Sequence, residues 1–169
     1  MAIVKLLADY DPEPCTGCKL CDIVCPSGAI RMEARRPVID DALCIGCGRC
    51  VDRCPEDIMW MEERNEPLIT TVRPDEVDQE AVAALLIKAG IDASMSVCVC
   101  TLTPGSEIAA AVVKGAQTLE EVCAMTGMRS GCGIYCVAPA LRLLEAAGRD
   151  MTLPGQHRWY PVSYTHLTL

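Results

Sequence analysis

Residues 15–26 read CTGCKLCDIVCP, and residues 44–55 read CIGCGRCVDRCP. Both fit C-x2-C-x2-C-x3-C-P, an internal repeat of about thirty residues in the first half of the chain. The spacing has a mechanical reason. Three thiolates two residues apart on a tight loop converge on three corners of an iron–sulfur cube, and the fourth cysteine starts a short helix that carries it to the other cube. Gly17 and Gly46 relieve crowding where the backbone wraps each site, and Pro26 and Pro55 fix the exit. By that logic Cys15, Cys18, Cys21 and Cys54 hold one [4Fe–4S] cluster, and Cys44, Cys47, Cys50 and Cys25 hold the other. Zinc also takes four thiolates, but its sites usually pair two C-x2-C knuckles and have no need of a triple run followed by C-P.

This stretch resembles the bacterial-type two-cluster ferredoxins over about residues 3–66. The resemblance implies a pseudo-twofold fold with short hairpin strands beside each cluster. AIRMEA and RPVID (residues 29–34 and 36–40) would form one hairpin, and DIMWME (57–62) would pair near the N-terminal AIVKLL (2–7). Trp60 and Met61 are expected to pack in the core beside the second cluster.

The chain has 169 residues, 13 of them cysteine, which points to disulfides or metals. The start has one lysine, a short apolar run and then acids and prolines, unlike a secretory signal, so a cytoplasmic chain with reduced thiols is expected. No stretch has the apolar length of a membrane span, and no direct membrane insertion is expected. The net charge is −8, carried as −5 by residues 1–70 and −3 by residues 71–93, with the remainder neutral. Without a basic stripe, nucleic acid is a poor partner, whereas an acidic surface suits a protein with a basic patch. Phe is absent and only six residues are aromatic, so Val, Ile, Leu, Ala and Met must pack around something, and clusters could supply that interior.

The composition changes after residue 70. In residues 71–93 Pro74 and Asp75 are expected to open a helix, with Val77, Ala81, Ala84, Leu85 and Lys88 at helical spacing and Gly90 closing it. This helical linker reads as a strut between modules. A second cysteine set follows in residues 94–150: Cys98-x-Cys100, then Cys132-x3-Cys136. Between the pairs, Thr103 and Pro104 start one helix that Gly115 ends. Thr118 and Glu121 make a T-x-x-E capping box for another that Gly127 ends, and Cys136 opens a third that runs to Gly148. The hairpin returns the chain so that the pairs can meet. Four thiolates from two loops at helix N-termini suit an anionic [2Fe–2S] cluster, although two short pairs also describe a zinc knuckle.

This segment resembles the bacterioferritin-associated ferredoxin (BFD) domain over about residues 95–148, through C-x-C, GAQTLEEV, TG and SGCG. In that family 31 residues separate C-x-C from C-x2-C, and 31 separate Cys100 from Cys132 here; the departure is C-x3-C. Looser spacings occur where this domain belongs to flavin-dependent dehydrogenases. The resemblance implies Cys98, Cys100, Cys132 and Cys136 as ligands of one [2Fe–2S] cluster. Cys123, mid-helix, reads as a buried small residue.

The fold class expected is α+β: a ferredoxin-like dicluster domain with short hairpin strands (1–70), a helical linker (71–93) and a small all-α [2Fe–2S] domain (94–150). A tail (151–161) follows, and VSYTHLTL (162–169) reads as a translated sequencing adaptor. The two histidines, His157 and His166, lie in these last segments, and the chain has no Ser/His/Asp set, P-loop or dinucleotide fingerprint. No catalytic residue is therefore assigned. The expected role is single-electron relay as a carrier or subunit, with a flavin-dependent dehydrogenase as the substrate-handling partner. The alternatives are reduction of a ferritin-type iron store and redox or iron sensing. Twelve thiolates and three cluster cores would bring the loaded charge to about −14, favouring a basic docking surface on the partner.

Overall fold

The computed structural model describes residues 2–151; the tail beyond them, with both histidines and the adaptor-like segment, lies outside the described residues. Among the described residues there are three two-stranded antiparallel ribbons and six α-helices. The elements run β1 (Ala2–Tyr10), α1 (Leu20–Val24), β2 (Ile30–Glu33), β3 (Arg36–Ile39), α2 (Arg49–Arg53), β4 (Met59–Thr70), α3 (Gln79–Ala89), β5 (Ser96–Cys98), β6 (Thr103–Pro104), α4 (Gly105–Lys114), α5 (Leu119–Thr126) and α6 (Val137–Ala146).

The cysteine repeat is visible in backbone angles. Helices α1 and α2 are each five residues long, each preceded by a left-handed residue (Lys19, φ 67°; Gly48, φ 72°), and each ended by the fourth cysteine of its motif. The fourth cysteine thus terminates its helix instead of starting one, a correction with a simple cause. A residue before proline is driven out of the helical region, and Cys25 and Cys54 take φ −67°, ψ 115° and φ −74°, ψ 116°.

Strands β2 and β3 form the expected hairpin, closed by Ala34 and Arg35, both at positive φ. Strands β1 and β4 pair from Tyr10↔Met59 to Ala2↔Thr70. Their register breaks between Val4 and Leu6, which pair with Leu68 and Glu63, so residues 64–67 form a bulge in β4 that accommodates Pro67. Alternation along β4 buries Met59, half-buries Met61 and leaves Trp60 43% exposed, so Trp60 is not the core residue expected from the sequence. The first core is small: Ala8, Ala29, Ile30 and Met59, completed by Cys44 and Cys50.

The second core is larger and nearly dry. Ile108, Ala109, Ala110, Ala111 and Val112 of α4 are fully buried, and their small side chains let α3, α5 and α6 close around that helix. The helix expected to open at Pro74 is instead a 3-10 turn (Pro74–Glu76) followed by α3, capped by Asp78, whose Oδ1 accepts from the N–H groups of Glu80 (2.9 Å) and Ala81 (3.2 Å). A side-chain cap satisfies two orphan donors at Asp78, which Pro74 has no means to do. Val82, Leu85 and Leu86 of α3 lie in the same core as Leu141, Leu143 and Leu144 of α6. Helix α4 starts at Gly105, because Thr103 and Pro104 belong to β6, which pairs with β5. The segment holding the second cysteine set is therefore not all-α: a ribbon too short to show periodicity carries Cys98 at the end of β5. The capping box forms at Thr118, whose Oγ1 accepts from Glu121 N–H (3.2 Å), while Glu121 reaches back one residue further, to Gln117 N–H (2.7 Å).

Candidate metal centres

Cys15, Cys18, Cys21 and Cys54 line one hollow, closed by Tyr10, Met32, Pro37 and Ile58. Cys25, Cys44, Cys47 and Cys50 line another, closed by Ala8, Ile30 and Met61. Eight thiols thus line two hollows, with Cys54 beside the first three cysteines of the first repeat and Cys25 beside those of the second. Among the described residues no three His, Cys, Asp or Glu side chains close on a single-ion position. Four thiols spread around the wall of a hollow fit a polynuclear body, whereas zinc sits about 2.3 Å from every thiolate and draws them to a point.

The loops are held by close approach and by arginine. A Cβ at Gly46 would lie 2.7 Å from Val4 Cγ1 and 2.8 Å from Leu6 O, and one at Gly17 would lie 2.7 Å from Arg35 O, so both positions exclude a side chain. Arg36 donates from Nη1 to Pro12 O and Cys15 O, and Arg35 donates to Thr16 O (3.1 Å). In the other repeat the bulge in β4 turns Arg64 inward, where it donates to the carbonyls of Leu6, Asp41 and Cys44. Charge-assisted bonds to loop carbonyls hold each wrap in shape. Nothing in the sequence pattern singles these arginines out.

The second cysteine set also meets. Cys98 and Cys136 are both buried and hydrogen-bonded through sulfur, while Cys100 and Cys132 are exposed, with Cys132 N–H directed at Cys100 Sγ (3.5 Å). Gly131 makes room for Cys100, since a Cβ there would lie 2.6 Å from Cys100 Cβ. The longer C-x3-C spacing is absorbed by a turn in which Val137 N–H donates to Ile134 O (3.2 Å), leaving Cys136 at the N-cap of α6.

A family model for a 4Fe-4S dicluster domain matches residues 14–58, and one for a BFD-like [2Fe-2S] binding domain matches residues 96–146. The chain is a dicluster domain fused to a BFD-like domain. No curated protein and no solved structure matches it. These families bind [4Fe–4S] and [2Fe–2S] clusters, and the role they give the fused protein is electron transfer.

The electrostatics of the two domains differ. In the dicluster domain, burial pushes the Cys21 thiol up to about 11 and that of Cys50 up to about 12, and it raises Cys47 as well. Such thiols stay protonated in the metal-free chain, and binding iron must displace their protons. In the BFD-like domain the thiol of Cys136 donates to Cys98, holding Cys98 down to about 4 against its burial, with N–H groups of Arg129 and Thr101 also facing that sulfur. Cys132 is lowered by the N–H groups of Ile134 and Tyr135. Backbone dipoles aimed at sulfur favour an anionic cluster. Behind Cys98 lies Arg129, a buried guanidinium 3.9 Å from Glu120 and hydrogen-bonded to the fully buried Cys123. Nothing in the sequence between Gly127 and the Cys132 loop marks this arginine.

Proposed function

We propose that the chain relays single electrons through two [4Fe–4S] clusters and one [2Fe–2S] cluster, between a flavin-dependent dehydrogenase partner and an electron acceptor. The ligands are Cys15, Cys18, Cys21 and Cys54 for the first, Cys25, Cys44, Cys47 and Cys50 for the second, and Cys98, Cys100, Cys132 and Cys136 for the third. When bound, such clusters take up and release one electron at a time. The protein contributes thiolate ligands, dipoles that favour the anionic state, and a fixed separation between centres.

The observation that carries the proposal is the partition of twelve thiols into three sets, two around hollows and one with its outer pair at the surface. Val99, Leu102, Ile134 and Tyr135 surround that outer pair and are 65–79% exposed. Large apolar side chains beside an exposed centre, on a chain of net charge −8, favour a protein partner with an apolar patch and a basic border. No described helix is long and apolar enough to cross a membrane.

The test is anaerobic mixing of the loaded protein with candidate flavoproteins and their substrates. Cluster absorbance should bleach only when flavoprotein and substrate are both present, with a rate that falls as salt rises. Bleaching that requires no flavoprotein, or electron delivery solely to a ferritin-type iron store, contradicts the flavin assignment.

A further inference from the structure

Arg49 lies between Cys47 and Cys50 in sequence and lines their hollow, yet its side chain leaves the dicluster domain. Nη1 donates to Gly131 O (2.9 Å) and Arg129 O (3.3 Å), both in the BFD-like domain. Gly131 O belongs to the same peptide unit as Cys132 N–H, which points at Cys100 Sγ (3.5 Å). At its other end, Arg49 gives its own backbone N–H to the sulfur of Cys47. One side chain and one peptide therefore connect a thiol of the dicluster domain to a thiol of the BFD-like domain through hydrogen bonds.

Gly133 confirms how closely the guanidinium is seated. A Cβ there would lie 2.2 Å from Arg49 Nη1, so the guanidinium rests against the bare backbone of Gly133, whose left-handed φ of 70° itself favours glycine. Two further contacts put the same side of the dicluster domain against its neighbour. Gly28, three residues after Cys25, faces Glu120 of α5, where a Cβ would lie 3.4 Å from Glu120 Cβ. Ile45, next to Cys44, shares a cavity with Thr101, Thr103 and Ser130. Ile45 and Arg49 both line the hollow of Cys25, Cys44, Cys47 and Cys50, and neither lines that of Cys15, Cys18, Cys21 and Cys54.

We infer that Arg49 is a positioning residue that couples the two domains, making the Cys25/Cys44/Cys47/Cys50 site the inner station of the relay and the Cys15/Cys18/Cys21/Cys54 site the outer one. The inference rests on the proposed cluster-bearing relay and adds its order. Each step moves one electron, supplied by the reduced flavin of the partner and passed finally to a one-electron acceptor. Arg49 stays charged throughout and carries no proton. Its charge also lies between two anionic centres, where it offsets their mutual repulsion.

The order is read by electron paramagnetic resonance on the full-length, anaerobically loaded protein. In the reduced wild type, a neighbouring paramagnetic cube speeds the relaxation of the [2Fe–2S] signal. Cys50→Ser should abolish that enhancement and Cys54→Ser should leave it. Arg49→Gln should keep the iron content and all three intrinsic signals while the docked-to-undocked ratio falls about tenfold or more, as loss of a charge-assisted bond requires. The relaxation enhancement should fall with it, and Arg49→Lys should recover part of it. Enhancement lost in Cys54→Ser and kept in Cys50→Ser overturns the order, and enhancement unchanged in Arg49→Gln overturns the bridge. If Cys50→Ser fails to fold, the Cys54→Ser and Arg49 variants decide. Absence of either signal type from the wild type fails the cluster proposal itself, a different outcome from all of these.

Discussion

Cys25 and Cys54 end their helices with nearly the same backbone angles, and each faces the hollow formed by the other repeat's first three cysteines. Exchange of the fourth thiol ties the repeats together, so neither centre is complete without both halves of the domain. Cys54→Ser should therefore damage the site of Cys15, Cys18 and Cys21, while the BFD-like centre persists. Iron content should fall from about ten to about six per chain if only that cube is lost. Iron analysis with low-temperature paramagnetic resonance checks this outcome.

Buried Arg129 lies 3.9 Å from half-buried Glu120, behind Cys98. A positive charge there favours the more negative, reduced state of the BFD-like centre. Arg129→Met should lower its reduction potential, Glu120→Gln should raise it, and neither should move the dicluster potentials. Loss of the guanidinium should also destabilise the domain by about 1 kcal/mol or more. Redox titration and chemical denaturation of the two variants test both parts.

Cys123 is fully buried, and desolvation pushes its thiol from about 9 up to about 12. Between those values the unfolded chain sheds the proton while the native one retains it. Native stability therefore falls as pH rises from 9 towards 12, by at most about 1.4 kcal/mol per pH unit for this one group. Cys123→Ala should lose less stability than wild type across that window and match its pH dependence below pH 8. Denaturant midpoints measured on the loaded protein at several pH values show the difference.

Ile134 and Tyr135 lie beside Cys132 and are 65% and 79% exposed. Truncating both to Ala should slow reduction by the flavoprotein about tenfold or more, as loss of central apolar contacts at an interface does, and leave the cluster spectra intact. Stopped-flow rates at several partner concentrations separate weaker docking from slower transfer.

The cysteine repeat made the dicluster half legible, because C-x2-C-x2-C-x3-C-P carries its geometry in its spacing and the crossed sets follow from it. The hairpin around Ala34 and Arg35 and the cap at Thr118 were legible for similar local reasons. The direction of the helix at each fourth cysteine was not, because the restraint comes from the proline that follows. Ribbon β5–β6 escaped notice since three residues and two residues show no alternation. Trp60 is expected in the core beside the second cluster, yet the pleat of β4 turns it outward. Arg49, Arg64 and Arg129 carry no mark in the sequence: the first two act on carbonyls distant in sequence, the third on Glu120 and Cys123 of the preceding helix, and charge pattern alone does not distinguish such arginines from solvated ones.

Metal and sulfide analysis of protein purified and reconstituted without oxygen tests the central claim most directly. Three clusters require about ten irons and about ten acid-labile sulfides per chain, with two interacting cubane signals and a separate [2Fe–2S] signal on reduction. Stoichiometric zinc without sulfide, or thiols that stay free of metal, would contradict the account.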